Sequence, residues 1–292
     1  MSGKVWTIGS ILKWTEQYFR DKGVDSPRLD AEVLLSHVLK KERIYLYVHF
    51  DEPLEQEEQA AYRELIKKRV QGIPTAYLIG QREFMGLPFL VTEDTLIPRP
   101  DTEILVQAAV DFLRRLADRG RDVEFADIGT GTGAICLSVL RFLPAAHAAT
   151  VDISEKARRV AEENARRLEV SDRVEFFTGD LLKPLEGRTF DAILSNPPYI
   201  SEMDMQGLSV EVRNEPRLAL FGGRDGMDFY RRLCADVPRM LKEGGFLAFE
   251  VGIHQAKEVE RLAKANPQIG RTEVRKDLAG INRVVLAWKA EG

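Results

Sequence analysis

Phe190-Asp191-Ala192-Ile193-Leu194-Ser195-Asn196-Pro197-Pro198-Tyr199 reads as a buried strand that stops abruptly. The short apolar run over 190–194 has the length and residue types of a strand inside a sheet. Two successive prolines lack amide hydrogens and cannot continue a central strand, so the chain turns there. Asn196 is left at the carboxyl end of the strand, where open α/β sheets hold their ligands. Its side-chain oxygen and the carbonyl of Pro197, which no strand pairs with, make two neighbouring acceptors. Together they suit a planar NH2 group, and Tyr199 adds a flat face beside them. A Pro-Pro turn without chemistry has the same local form, so the surrounding chain has to decide.

From Val123 onward, strands alternate with helices, the pattern of a parallel sheet covered on both faces. Strands are predicted at 124–128, 149–151, 174–177, 192–194 and 245–251, with two more near 270–274 and 283–288. Helices are predicted at 134–142, 155–168, 227–241 and 255–265. The region before this is different. Residues 7–68 are helical in pattern, with Ile8, Ile11, Leu12, Trp14, Tyr18 and Phe19 at near-helical spacing. Ser26-Pro27 looks like an N-cap followed by proline at the first helical position, and a third helix over 54–70, rich in charge, reads as solvated on its outer face. These helices make a small bundle over 1–80. A hairpin and linker over 81–98 follow, with Met85-Gly86 and Pro88 inside, and 99–292 form the α/β domain. Pro98 and Pro100 stiffen the loop into the next helix, which Asp101 or Thr102 can cap.

Composition narrows the classes. The chain has 292 residues, 44% of them hydrophobic, enough for a full core beside a smaller appendage. There is no apolar run of membrane-spanning length and no signal-peptide pattern, so no membrane partner is expected. The two cysteines, Cys136 and Cys234, lie far apart without a Cys-x-x-Cys and read as buried thiols of a reducing cytoplasm. Four scattered histidines suggest no metal site. A net charge of −4 argues against a surface built mainly to hold nucleic acid.

Asp127-Ile128-Gly129-Thr130-Gly131-Thr132-Gly133 joins the first strand of the α/β domain to its helix. The glycines permit a tight turn and close approach of a ligand, and the helix N-terminus beyond attracts an anionic group. Asp152 ends the second strand, where a carboxylate accepts from two ribose hydroxyls. Asp180 follows the third strand and can take an adenine amino group while Leu181 covers the ring. Each feature alone is weak: Gly129-x-Gly131-x-x-Ala134 also suits a nicotinamide dinucleotide, and each acid alone also suits a helix cap or turn. Asn-Pro-Pro-Tyr after the fourth strand discriminates, since a dehydrogenase has no use for it there.

In combination these motifs resemble S-adenosylmethionine-dependent methyltransferases that act on a planar nitrogen. Ile97-Pro98-Arg99-Pro100-Asp101-Thr102-Glu103, Asn214-Glu215-Pro216-Arg217-Leu218-Ala219-Leu220, Gly222-Gly223-Arg224-Asp225-Gly226 and Asp277-Leu278-Ala279-Gly280 narrow the resemblance. They are similar to bacterial peptide chain release factor glutamine N5-methyltransferases, as is Ser26-Pro27-Arg28-Leu29-Asp30-Ala31-Glu32, and the match covers nearly the whole chain. The resemblance implies a Rossmann-like seven-stranded sheet with an antiparallel last strand behind an N-terminal helical substrate-recognition domain. It also implies S-adenosylmethionine as cofactor, class I release factors as protein partners, and the glutamine of their Gly-Gly-Gln tip as target. Gly129, Thr130, Gly131, Thr132, Gly133, Asp152, Asp180, Leu181 and Asn196 would then hold the cofactor. Asn196, Pro197 and Tyr199 would carry the catalysis, with Pro198, Arg99 and Glu103 contacting substrate. One departure is Leu181, where some members carry tryptophan. The other readings are a ribosomal-protein glutamine methyltransferase, an N6-adenine or N4-cytosine enzyme working on a flipped base, and a cofactor-binding protein without catalysis.

Overall fold

The computed structural model describes residues 5–291, which separate into two compact units. The first comprises the chain up to Gln81 together with Ser209–Asn214; the second comprises Arg82–Leu208 and Glu215 onward. The return of 209–214 to the helical unit is not legible in local sequence.

In the first unit, helices Ile8–Asp21, Pro27–Leu39 and Gln56–Val70 close around Ile8, Phe19, Leu34, Leu35, Leu46 and Tyr62. Thr7 and Ser10 form a capping box at the start, whereas Ser26 makes no side-chain cap and Pro27 alone fixes its turn. Two short helices, Arg43–Val48 and Thr75–Ile79, lie below the length at which periodicity shows. The helix Gln56–Val70 is not simply solvated: it buries Tyr62, Ile66 and Arg69. The Arg69 guanidinium is compensated by Asp30 at 2.7 Å and by Glu211 of the returning segment, and Asn214 Nδ2 donates to the Gly72 carbonyl at 3.0 Å.

A hairpin, β1 (Gln81–Phe84) and β2 (Leu87–Leu90), begins at the last residue of the first unit and otherwise belongs to the second. Met85 and Gly86 both have positive φ, 53° and 73°, the backbone of a type I′ turn that matches strand twist. The seven-stranded sheet comprises β3 (Val123–Ile128), β4 (Ala146–Asp152), β5 (Val174–Thr178), β6 (Phe190–Ser195), β7 (Leu241–Glu250), β8 (Ile269–Lys276) and β9 (Asn282–Lys289). Their order is β5-β4-β3-β6-β7-β9-β8; β5 through β7 run parallel, and β9 is antiparallel to both β7 and β8. Side chains alternate between two cores, with a break at Phe190 where the pairing of β6 with β7 shifts register. Phe125, Ala148, Ala192, Leu194, Phe246 and Ala248 face helices Glu103–Ala117 and Ala134–Phe142. Ala126, Ala149, Ile193, Leu247 and Phe249 face helices Asp228–Met240 and Ala256–Lys264. Both faces are dry, which is why the strands read as nearly continuous apolar runs.

Candidate active site

The strand order reverses between β3 and β6, because β4 and β5 extend the sheet on one side and β7 on the other. Loops leaving such a pair diverge and open a crevice at their carboxyl ends. Gly129 leaves β3 and Asn196 leaves β6, so both motifs stand on this switch point. They are close: a Cβ on Gly129 would lie 3.8 Å from the Asn196 carbonyl oxygen. Ser195 Oγ donates to the Ile128 carbonyl at 2.6 Å and staples the two strand ends.

The glycine turn is held from below and from the side. Gly129 and Thr130 amides donate to the Val151 carbonyl at 2.8 and 3.1 Å. Asp152 Oδ2 accepts from the Gly131 amide at 2.8 Å and Oδ1 from the Ser154 amide at 2.8 Å. Burial raises the Asp152 carboxyl above its ordinary value against those two bonds. Each carboxylate oxygen retains lone-pair capacity for a ligand hydroxyl. Gly133, at φ 81°, permits packing rather than binding: a Cβ there would meet Leu137 Cδ1 at 2.7 Å. Asn164 is wholly buried and takes both the Leu90 backbone and the Thr132 carbonyl, tying the hairpin to the turn.

One cavity runs along this edge, lined by Gly129, Thr130, Gly131, Thr132, Asp152, Asp180, Leu181, Asn196, Pro198 and Arg99 among others. Pro197, Tyr199, Gly133 and Glu103 do not line it. The Glu103 carboxylate instead accepts from the Met85 amide at 2.9 Å and braces the hairpin turn. Asp180 lines the cavity, but Arg232 at 2.7 Å and Lys183 at 3.1 Å bind its Oδ2 and hold its carboxyl below the usual range. Leu181 sits at φ 51°, an uncommon backbone for a non-glycine residue that sets its apolar side chain on the cavity wall. Beneath the turn, buried Asp127 accepts from the Cys136 amide through Oδ2, while Oδ1 has no partner among the described residues. An adenosine cofactor bearing a cationic centre fits this lining: an open glycine turn, a ribose-height carboxylate and an apolar cover.

The Asn196 loop rests on Thr102, which reads in the sequence as a helix cap, on Gly222 of a quoted motif, and on Glu250 and Gln255, which no sequence motif singles out. Asn196 Nδ2 donates to Thr102 Oγ1 at 3.3 Å and toward Glu250, which turns Oδ1 to the other side of the amide plane. Thr102 stands at the N-cap of its helix yet makes no side-chain cap; its hydroxyl donates to Glu250 Oε2 at 2.5 Å. Glu250 ends β7 and is wholly buried, which pushes its carboxyl up to about 7. Gln255 Nε2 donates to the Tyr199 carbonyl at 2.9 Å. Gly222 lies so close beneath that a Cβ would meet Pro198 O and Tyr199 Cα at 2.7 Å. The remaining motifs serve the same loop system. Glu215 pairs with Arg99 and accepts from the Ile97 amide at 3.1 Å. Arg283 bridges Asp101 at 3.1 Å and Asp277 at 3.0 Å. A lone acid closing the apolar run Phe246-Leu247-Ala248-Phe249 was the available signal for Glu250.

Comparison with known proteins agrees with this layout. The PrmC N-terminal domain model matches residues 10–80, and the Methyltransferase small domain model matches residues 105–212. The release factor glutamine methyltransferase of Rhodopirellula baltica is 43% identical over 288 residues, 98% of this chain and 97% of that protein. The chain belongs to the release factor glutamine methyltransferase family. The Geobacter sulfurreducens member is 45% identical over 257 residues, 88% of each chain. Among solved structures, the hMettl16 catalytic domain in complex with MAT2A 3'UTR hairpin 1 superposes with TM-score 0.55 at 17% identity, covering 77% of this chain and 80% of that one. A methyltransferase from Pyrococcus furiosus gives TM-score 0.50 at 18% identity, with 81% and 100% covered. These two establish the fold alone. As a family member the chain is an S-adenosylmethionine-dependent methyltransferase, and its lining residues suit that cofactor. Among the described residues no helix is long and apolar enough to cross a membrane.

Proposed function

We propose that this enzyme methylates the side-chain N5 of a protein glutamine, the Gly-Gly-Gln glutamine of class I peptide chain release factors. The observation that carries this reading is the Asn196 amide at the switch point, its NH2 tied to Thr102 and Glu250 and its oxygen left for another donor. The names of the relatives support the choice of release factor.

S-adenosylmethionine supplies a methyl group already activated on a sulfonium, so the residues have only to prepare the nucleophile. An amide nitrogen reacts poorly because its lone pair is delocalised into the carbonyl. Asn196 Oδ1, on the cavity wall, accepts one of its hydrogens; the Pro197 carbonyl, next along the loop and outside the lining, is the second acceptor this reading requires, and together they hold the nitrogen in line. These bonds strengthen as positive charge builds on nitrogen, which favours the transition state over the ground state. Tyr199 supports the loop from behind the cavity wall, its carbonyl held by Gln255. The alkylated nitrogen is acidic enough to lose its proton to water or a carbonyl, so no side chain is assigned as base. The glycine turn and Asp152 hold the nucleoside, Leu181 covers the adenine, and Asp180 presents its remaining oxygen. Arg99 and Pro198 line the mouth through which the glutamine enters. The helical unit selects the protein partner, and two buried free thiols accord with action in the cytoplasm.

The test is to incubate the full chain with methyl-labelled cofactor and purified class I release factors, then map the label by mass spectrometry. One label on the Gly-Gly-Gln glutamine is expected. Label on another residue type, or on nucleic acid only, overturns the reading.

A further inference from the structure

Glu250 does not line the cavity, yet the buried chain of hydrogen bonds that begins at its carboxylate ends on the amide of Asn196. A carboxylate only accepts hydrogen bonds, so with Glu250 ionised the Thr102 hydroxyl must spend its single hydrogen on Oε2, 2.5 Å away. The hydroxyl then presents lone pairs to its other neighbour, Asn196, 3.3 Å away. Only the NH2 end of the amide can face a lone pair, and Oδ1 is thereby directed toward the cavity. A flipped amide would set oxygen against oxygen in a site where Glu250 and Thr102 are both buried and water cannot compensate.

We infer that Glu250, acting through Thr102 and by its own approach to the Asn196 NH2, is a positioning residue that fixes the orientation of the Asn196 amide and so sets the acceptor for the substrate nitrogen. The inference rests on the acceptor role of Asn196 proposed above and adds what enforces it. Strand geometry holds the carboxylate in place. Glu250 shares the parity of Phe246 and Ala248, so it faces the helix that Thr102 begins. Its own carbonyl accepts from Tyr230 Oη at 2.8 Å, which fixes the end of β7. The charged and titratable groups around it are Asp101 from the loop before that helix, Arg283 from β9, Tyr199 from the Asn196 loop and Tyr230 from helix Asp228–Met240. Asp101 opposes ionisation of Glu250 and Arg283 favours it, and the two are themselves paired.

A proton on Glu250 removes the constraint. The carboxyl can then donate to Thr102, the hydroxyl can donate onward, and either end of the amide can face it. Glu250→Gln reproduces that ambiguity at every pH, since a carboxamide both donates and accepts. Thr102→Val cuts the hydroxyl arm and leaves only the direct approach of Asn196 Nδ2 to the carboxylate, and Thr102→Ser restores the arm.

The experiment measures single-turnover methyl transfer to a purified class I release factor, cofactor affinity and thermal unfolding for these variants beside Asn196→Ala. At about pH 8, Glu250→Gln and Thr102→Val should lose about tenfold in rate, a positioning loss short of a full displacement. Cofactor affinity should stay within about twofold, and Thr102→Ser should recover most of the rate. The parent rate should rise between about pH 6 and about pH 8, and that rise should be absent from Glu250→Gln. A parent-like rate and pH profile for Glu250→Gln, with Asn196→Ala inactive, overturns the positioning inference alone. Loss of rate that follows loss of folding or cofactor affinity also overturns it. An active Asn196→Ala instead overturns the acceptor reading on which it rests.

Discussion

At the scale of single residues, Glu250 combines full burial with a charge, and stability should record that. Burial lifts its carboxyl from an ordinary 4.5 to about 7 in the fold. The folded state therefore holds a proton that the unfolded chain has released, so this contribution is fully present below 4.5 and is lost as pH rises through 7. The difference is on the order of 3 kcal/mol, a wild-type penalty at neutral and basic pH. Glu250→Gln removes it. The variant should unfold at a higher temperature than the parent at about pH 8, with the gap closing toward about pH 5. Asp127 and Asp152 are raised by burial as well but are common to both proteins, so the difference isolates Glu250. Parallel unfolding curves for the two proteins across that range would show that the carboxyl is not perturbed. A variant that gains stability while losing rate is what a residue retained for positioning predicts.

Among the elements, the loop 196–199 is shaped by what presses on it. Gly222 approaches Pro198 and Tyr199 at backbone atoms, which cannot rotate away as a flexible side chain would. Gly222→Ala should shift the loop and lower kcat/KM at least about tenfold, with overpacking costing about 1–3 kcal/mol of stability. Parent-like kinetics would mean that the loop yields freely and that its geometry matters little. This level was only partly legible in sequence. The strand–helix alternation, the glycine turn and the Pro-Pro stop are local patterns, and they give β3 to β6 with the cofactor edge between them. The supports are not local. Thr102 meets Glu250 across 148 residues and Arg99 meets Glu215 across 116, distances over which periodicity carries no information. Thr102 reads as a helix cap because caps are what threonines at helix starts commonly are, and only the pairing of β6 with β7 brings an acid to it. Glu103, which the family resemblance set against substrate, spends one carboxylate oxygen on the Met85 amide in the hairpin turn, a partner that local sequence does not reveal.

At the scale of the whole molecule, the chain folds as two compact units. The second carries every residue assigned to cofactor or chemistry. The first contains a compact helical core and takes back Ser209–Asn214 from the chain that follows the Asn196 loop. Shortening the chain to begin at Gly80 should leave cofactor binding and slow methylation of a short Gly-Gly-Gln peptide. Most of the advantage on an intact release factor should be lost, because a second contact surface raises the local concentration of the loop. Equal kcat/KM on intact factor with and without the helices would refute a recognition role. An insoluble fragment would assign the helices to folding, in line with the buried Arg69, which needs both Asp30 and Glu211.

In the proposed reaction Asn196 acts in the chemical step as the acceptor for the substrate nitrogen. Single-turnover methyl transfer by Asn196→Ala, with the enzyme saturated in cofactor and release factor, tests it most directly. Near-parent cofactor affinity is expected, with methyl transfer reduced at least about a hundredfold, the loss seen when a preorganised transition-state partner is removed. Transfer at the parent rate would contradict it.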